Sequence, residues 1–132
     1  MRAITKGLPR QPKKDGHFAA MPYAQVTAFV AKLRERESFS RLARGFAILT
    51  AARSGEVHGA TWHDINAGAR LWTIPKDRMK THREQVVPLA KSAMQVIERC
   101  QELGVRDCPL VFPGLRGSQS LSDMTLTKLL KE

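Results

Sequence analysis

The chain is short of residues on which many functions depend. Its 132 residues hold two cysteines and one tyrosine, and aromatic residues make up 6% of it. Cys100 and Cys108 lie far from any histidine pair, so the ligand spacing of a zinc site is missing and no metal or cofactor is expected. Two free thiols are expected instead, because a disulfide is out of place in a reducing cytosol. No apolar run approaches the roughly 20 residues of a membrane-crossing helix, and the start of the chain lacks the apolar centre of a secretory signal. An intracellular protein without a membrane partner is the expectation. Scarce aromatics and the lack of an RNP-like motif argue against an RNA-binding or ribosome-associated protein.

Acidic residues are also few. Twelve Asp and Glu face twenty-two Lys and Arg, a net charge of +10. A polyanion is the natural partner, since clustered cations displace the counterions condensed on nucleic acid. A solvated basic surface or an anionic membrane would suit the same charge, and charge alone does not separate DNA from RNA.

Residues 1–20 read as a basic arm or linker. Arg2, Lys6, Arg10, Lys13 and Lys14 are accompanied by a single acid, Asp15, with Gly7, Pro9, Pro12 and Gly16 interspersed. Such a composition buries no core. It fits an arm lying along phosphates and, equally, a lead-in with no role of its own.

From residue 21 onward the patterning is that of a folded domain. Pro22 suits a helix first turn, and Val26, Phe29, Val30 and Leu33 form one apolar stripe, which predicts a helix over about 22–36. Ser38 is a plausible N-cap for a second helix, about 39–52, with Leu42, Phe46 and Leu49 on its buried face. Ser54 is expected to cap a short third helix, about 55–62. The pattern then changes to three strand candidates, at Asp64-Ile65-Asn66, Leu71-Trp72-Thr73-Ile74 and Glu84–Val87, in a sheet spanning about 63–88. Leu89, Ala93, Val96, Ile97, Cys100 and Leu103 predict a helix over about 90–103 that Gly104 closes. A loop rich in Pro, Gly and Ser leads to a last helix, about 122–131, capped by Ser122. The expected fold is mainly α with a small three-stranded antiparallel sheet, an α+β domain.

Two segments carry the chemistry. The first is Thr50-Ala51-Ala52-Arg53-Ser54-Gly55-Glu56, followed by Trp62-His63-Asp64-Ile65. The second is the basic stretch with Lys76, Arg78, Met79-Lys80, His82 and Arg83, between the second and third strand candidates. By residue type alone, an arginine ending a helix often only complements its dipole, and a lysine in a polar hairpin is usually solvated. The ordered set is more specific. It resembles the tyrosine recombinases, and among them the prophage integrases, which show a Thr-Gly-x-Arg-x-x-Glu box, a Trp-x-Asp-Ile entry to a hairpin and a lysine in the next turn. The resemblance runs from about Pro22 to the C-terminus and includes Phe112-Pro113-Gly114 and Leu121-Ser122-Asp123-Met124-Thr125. Ala51 stands where the family pattern has glycine.

The resemblance implies a partial tyrosine-recombinase catalytic domain over residues 21–132. Arg53 would contact the scissile phosphate and Lys80 would be the general acid, with Glu56 in a supporting, structural role. Arg78, His82 and Arg83 would be DNA phosphate contacts. The partner would be double-stranded DNA at attachment sites in a bacterial cytoplasm, near the nucleoid, and the full-length protein would act as a tetramer on DNA. Trp62 reads as core rather than as a base-stacking platform.

The family completes its site with a His-x-x-Arg segment, a further His or Trp and a tyrosine nucleophile near the C-terminus. No histidine follows His82, and Tyr23 lies upstream of Arg53, where it reads as a surface or half-buried helix residue. The expectation is therefore a piece of an integrase, with no nucleophile in this chain. It would bind DNA, stay inactive alone and self-associate through apolar surface that missing helices would cover. The alternative is a non-catalytic basic DNA-binding module.

Overall fold

The computed structural model describes residues 20–104, 107–117 and 119–128. All but Ala20 of the expected basic arm lies outside the described residues, as do the last four residues of the chain. Among the described residues, five α-helices and a small sheet follow one another: α1 Tyr23–Arg34, α2 Phe39–Thr50, α3 Ser54–His58, β1 Ile65–Asn66, β2 Leu71–Ile74, β3 Gln85–Pro88, α4 Lys91–Leu103 and α5 Asp123–Lys128. The sheet is antiparallel in the order β1-β2-β3, with Trp72 opposite Ile65 on one side and Val87 on the other. This is the α+β architecture that the patterning predicts.

Helix α2 is central and touches α1, α3, α4 and α5. Its N-terminus is capped as expected, Ser38 Oγ accepting from the Arg41 N–H at 3.3 Å. Phe46 lies wholly buried between Trp72 of β2 and Phe112 of the C-terminal loop, with ring centroids 5.2 and 5.4 Å away. One aromatic side chain thus joins helix, sheet and loop, and tilted rings at these distances are the favoured arrangement. Ala93, Ile97 and Cys100 bring α4 into the same core, which Leu89 joins just before the helix begins. Trp62 packs against this core, half-buried, whereas Tyr23 is 92% exposed on α1.

Both cysteines are free. Burial, with a smaller contribution from the Glu37 carboxylate, pushes the Cys100 thiol from 9.0 up to about 12, while Cys108 is half-buried in the C-terminal loop. Glu37, in the link between α1 and α2, accepts two hydrogen bonds from Arg99 of α4 and so ties link to helix.

Four local features differ from the sequence expectation. Helix α3 ends at His58, because Gly59 ends it and Thr61 starts a 3-10 turn over Trp62–Asp64. Asp64 is consequently a capping residue and not part of β1, its Oδ2 accepting the Thr61 N–H at 2.9 Å. Ser54 is the first residue of α3 rather than its cap; Arg53 holds the cap position and Glu56 supplies the capping carboxylate. Gly104 does follow α4, but with φ −53° it lies outside the left-handed region usual for a closing glycine.

Candidate nucleic-acid interface

Arg53 reaches its position through a short, unusual turn. Helix α2 stops at Thr50, whose hydroxyl turns back to the Phe46 carbonyl at 2.7 Å. Ala51 then adopts a left-handed conformation (φ 52°, ψ 26°), which reverses the chain so that Arg53 begins α3. A glycine would take this conformation without strain, which accounts physically for the glycine in the family pattern.

Glu56 fixes Arg53 twice. One carboxylate oxygen accepts the Arg53 backbone N–H at 2.9 Å and the other accepts its Nη1 at 3.1 Å. The carboxylate is buried, 8% exposed, while the Arg53 side chain is 64% exposed. A buried anion therefore orients a guanidinium whose outer side faces solvent. This geometry leaves the arginine able to meet an anion in paired hydrogen bonds.

The basic stretch forms the connection between β2 and β3. The N–H of Arg78 donates to the Pro75 carbonyl at 3.1 Å, and that of His82 to the Met79 carbonyl at 3.0 Å, so two consecutive turns shape it. Lys80 and Thr81 occupy the tip of the second turn, and His82 closes it in a left-handed conformation, φ 52°. Lys80, His82 and Arg83 are exposed, whereas the adjacent Met79 is buried.

Arg78 behaves differently from its basic neighbours. Its Nη1 donates to the Gly59 carbonyl and its Nη2 to Asp64 Oδ2. The contact with Asp64 is an ion pair in which the carboxylate is nearly out of solvent, 6% exposed, and the arginine is 26% exposed. Desolvation raises the Asp64 pKa, but hydrogen bonds from Arg78 and Thr61 outweigh it and leave the carboxyl below its usual 3.8. The β2–β3 connection is thereby fastened to the C-terminal end of α3, the helix whose N-terminus carries Arg53. With five residues, α3 is roughly 8 Å long at about 1.5 Å per residue.

The structure thus joins Arg53 directly to Glu56, links Arg78 to the end of α3, and sets Lys80, His82 and Arg83 on one exposed connection. Among the described residues no group of three or more His, Cys, Asp or Glu side chains could hold a metal ion. Sequence reasoning did not single out Gly59 and Asp64 as partners of Arg78. The Thr61-Trp62-His63-Asp64 spacing, an oxygen-bearing cap followed three residues later by an acid, was the available signal for Asp64.

The sequence model of the phage integrase family matches residues 20–132. The chain belongs to the phage integrase family. Within it, the integrase of Enterobacteria phage P4 is 29% identical over 133 positions, covering 90% of this chain and 28% of that relative. Prophage integrase IntZ of Escherichia coli (strain K12) is 31% identical, covering 90% of this chain and 30% of the relative. The chain therefore spans less than a third of the length of these integrases. A lambda integrase tetramer bound to a Holliday junction shares the fold with TM-score 0.63 at 18% identity, over 84% of this chain and 32% of that one. XerA recombinase shares it with TM-score 0.65 at 13% identity, over 90% of this chain and 42% of that one.

Proposed function

We propose that this chain is the part of an integrase that grips double-stranded DNA at attachment sites and supplies two cations to the scissile phosphate. The arrangement around α3 carries this reading: a guanidinium oriented by a buried carboxylate at one end, and a lysine-bearing turn fastened to the other. The lambda integrase neighbour, described as bound to a Holliday junction, supports duplex DNA as the ligand class.

In the proposed reaction a tyrosine oxygen, which this chain does not provide, attacks the phosphorus while the bond to the 5′ oxygen breaks. The phenol proton goes to solvent or to a base elsewhere in the assembly. Negative charge grows on the non-bridging oxygens, and Arg53 stabilises it with paired hydrogen bonds that strengthen as the charge develops. Lys80 Nζ gives a proton to the departing 5′ oxygen. His82 and Arg83 hold the neighbouring phosphates. The location that follows is a bacterial cytoplasm, at the nucleoid. No helix among the described residues is long and apolar enough to cross a membrane.

The test is covalent capture of nicked, attachment-site-like DNA by this chain, alone and mixed with a tyrosine-bearing C-terminal half of the catalytic domain. A protein–DNA adduct in the mixture only is expected, and Arg53→Ala should slow its formation by about 10²–10³-fold. Salt-sensitive binding with no adduct in the mixture would instead establish a non-catalytic DNA-binding module.

A further inference from the structure

A general acid works only within hydrogen-bond reach of the atom it protonates, and a displacement of about 1 Å can cost about 10²-fold in rate. Lys80 is poorly equipped to meet that demand by itself. Its side chain is exposed, four flexible carbons long, and carried at the tip of the Met79–His82 turn. The positions that follow, from Thr81 to Val86, are all exposed, so no buried side chain holds the far side of the turn before Val87. The near side is held at two adjacent residues. Met79 is buried in the core, and Arg78 is bonded to both Gly59 and Asp64.

The receiving surface suits this side chain closely. A Cβ at Gly59 would lie 3.2 Å from Arg78 Cδ and 3.3 Å from Nη1, tighter than ordinary contact, so the bare backbone makes room for the guanidinium. Asp64 Oδ2 accepts from Arg78 and from the Thr61 N–H together, so the carboxylate has a second, backbone anchor besides the arginine. Every partner comes from the segment leaving α3.

We propose that Arg78 is a positioning residue: clamped between Gly59 and Asp64, it presents Lys80 at a fixed place beside the helix that carries Arg53. The inference rests on the reading of Lys80 as the general acid. It also assigns Arg78 an inward role, leaving phosphate contact on this connection to His82 and Arg83.

Two substrates distinguish positioning from general structural support. One is the ordinary nicked duplex; the other carries sulfur in place of the bridging 5′ oxygen, which leaves as a thiolate and needs no proton. In the mixture with the tyrosine-bearing half, Lys80→Ala and Arg78→Ala should each lose about 10²-fold on the oxygen substrate and regain most of it on the sulfur substrate. Arg53→Ala should stay slow on both. An Arg78→Ala protein equally impaired on both substrates, or unimpaired on the first, overturns the inference. If Lys80→Ala is not rescued by sulfur, the acid role itself falls, and the inference with it. Amide exchange on this chain alone decides the clamp independently of turnover. Arg78→Ala and Asp64→Asn should speed exchange over residues 76–84 by about tenfold, with the amides of α2 and α4 unchanged. Unchanged exchange over 76–84 would remove the clamp.

Discussion

Glu56 has two tasks, and truncating its side chain removes both. Its buried carboxylate caps α3 through the Arg53 backbone and orients the Arg53 side chain. Glu56→Ala leaves the backbone N–H without its acceptor and should cost about 1–3 kcal/mol, read as a lower midpoint in urea unfolding. Asp64 gives the corresponding pH dependence. Its folded-state pKa is lowered, so its contribution to stability is complete above the ordinary value of 3.8 and disappears as pH falls through the lower folded value. Acid titration of the wild type and Asp64→Asn should therefore converge at the low end. A gap that persists at the lowest pH would show that the ion pair is not its source.

At the scale of elements, the turn between α2 and α3 is a strained piece. Ala51 with φ 52° carries a left-handed backbone that costs an L-residue roughly 1–2 kcal/mol. Ala51→Gly should raise stability by about 1 kcal/mol, the usual gain in mobility of the unfolded chain taking back part of the relief. A lower melting temperature for that variant would count against the account. Helices α2 and α4 were legible from apolar spacing because one face of each packs on the core, as Phe46, Ala93 and Ile97 do, whereas Leu49 and Leu103, read into the same stripes, are 41% and 37% exposed. The roles proposed for Arg53, Glu56 and Lys80 rest on an ordered motif, since residue type alone makes an arginine or lysine unremarkable. The hydrogen bonds of Arg78 to Gly59 and Asp64 were not legible. A basic residue within a basic run looks solvated until the fold brings Gly59 and Asp64, distant by 19 and 14 positions, against it. The end of α3 was misread for a related reason: Trp62 continues the helical spacing, but the Thr61–Asp64 cap competes for the same backbone.

At the scale of the whole molecule, charge and an open groove pull in opposite directions. Between α1, α2 and α4 lies a groove of about 330 Å³ whose walls include Val30, Leu33, Leu42, Ile48, Leu49 and Val96. Ile48 and Leu49 remain 38% and 41% exposed. A second copy of the chain is the expected occupant in solution, opposed by the repulsion between two molecules of charge +10. Sedimentation should show mass rising with concentration and more so at high salt, where that repulsion is screened. Ile48→Asp should hold the monomer, and a wild type monomeric throughout would contradict the expectation. DNA binding should follow salt the other way, weakening as salt rises, with Arg83→Ala flattening the log–log slope by about one unit.

The unequal thiols open a route to watching this molecule at work. Burial pushes the Cys100 thiol well above its ordinary range, so it stays protonated at neutral pH, and it is enclosed by core side chains. A maleimide dye will therefore find Cys108 and leave Cys100 untouched. Cys108 immediately precedes Pro109, whose carbonyl accepts the Trp62 N–H at 3.0 Å where the C-terminal loop meets the exit of α3. The sequence thus carries one addressable handle a single residue from that junction, where a fluorophore would sense any movement of the C-terminal loop against the exit of α3.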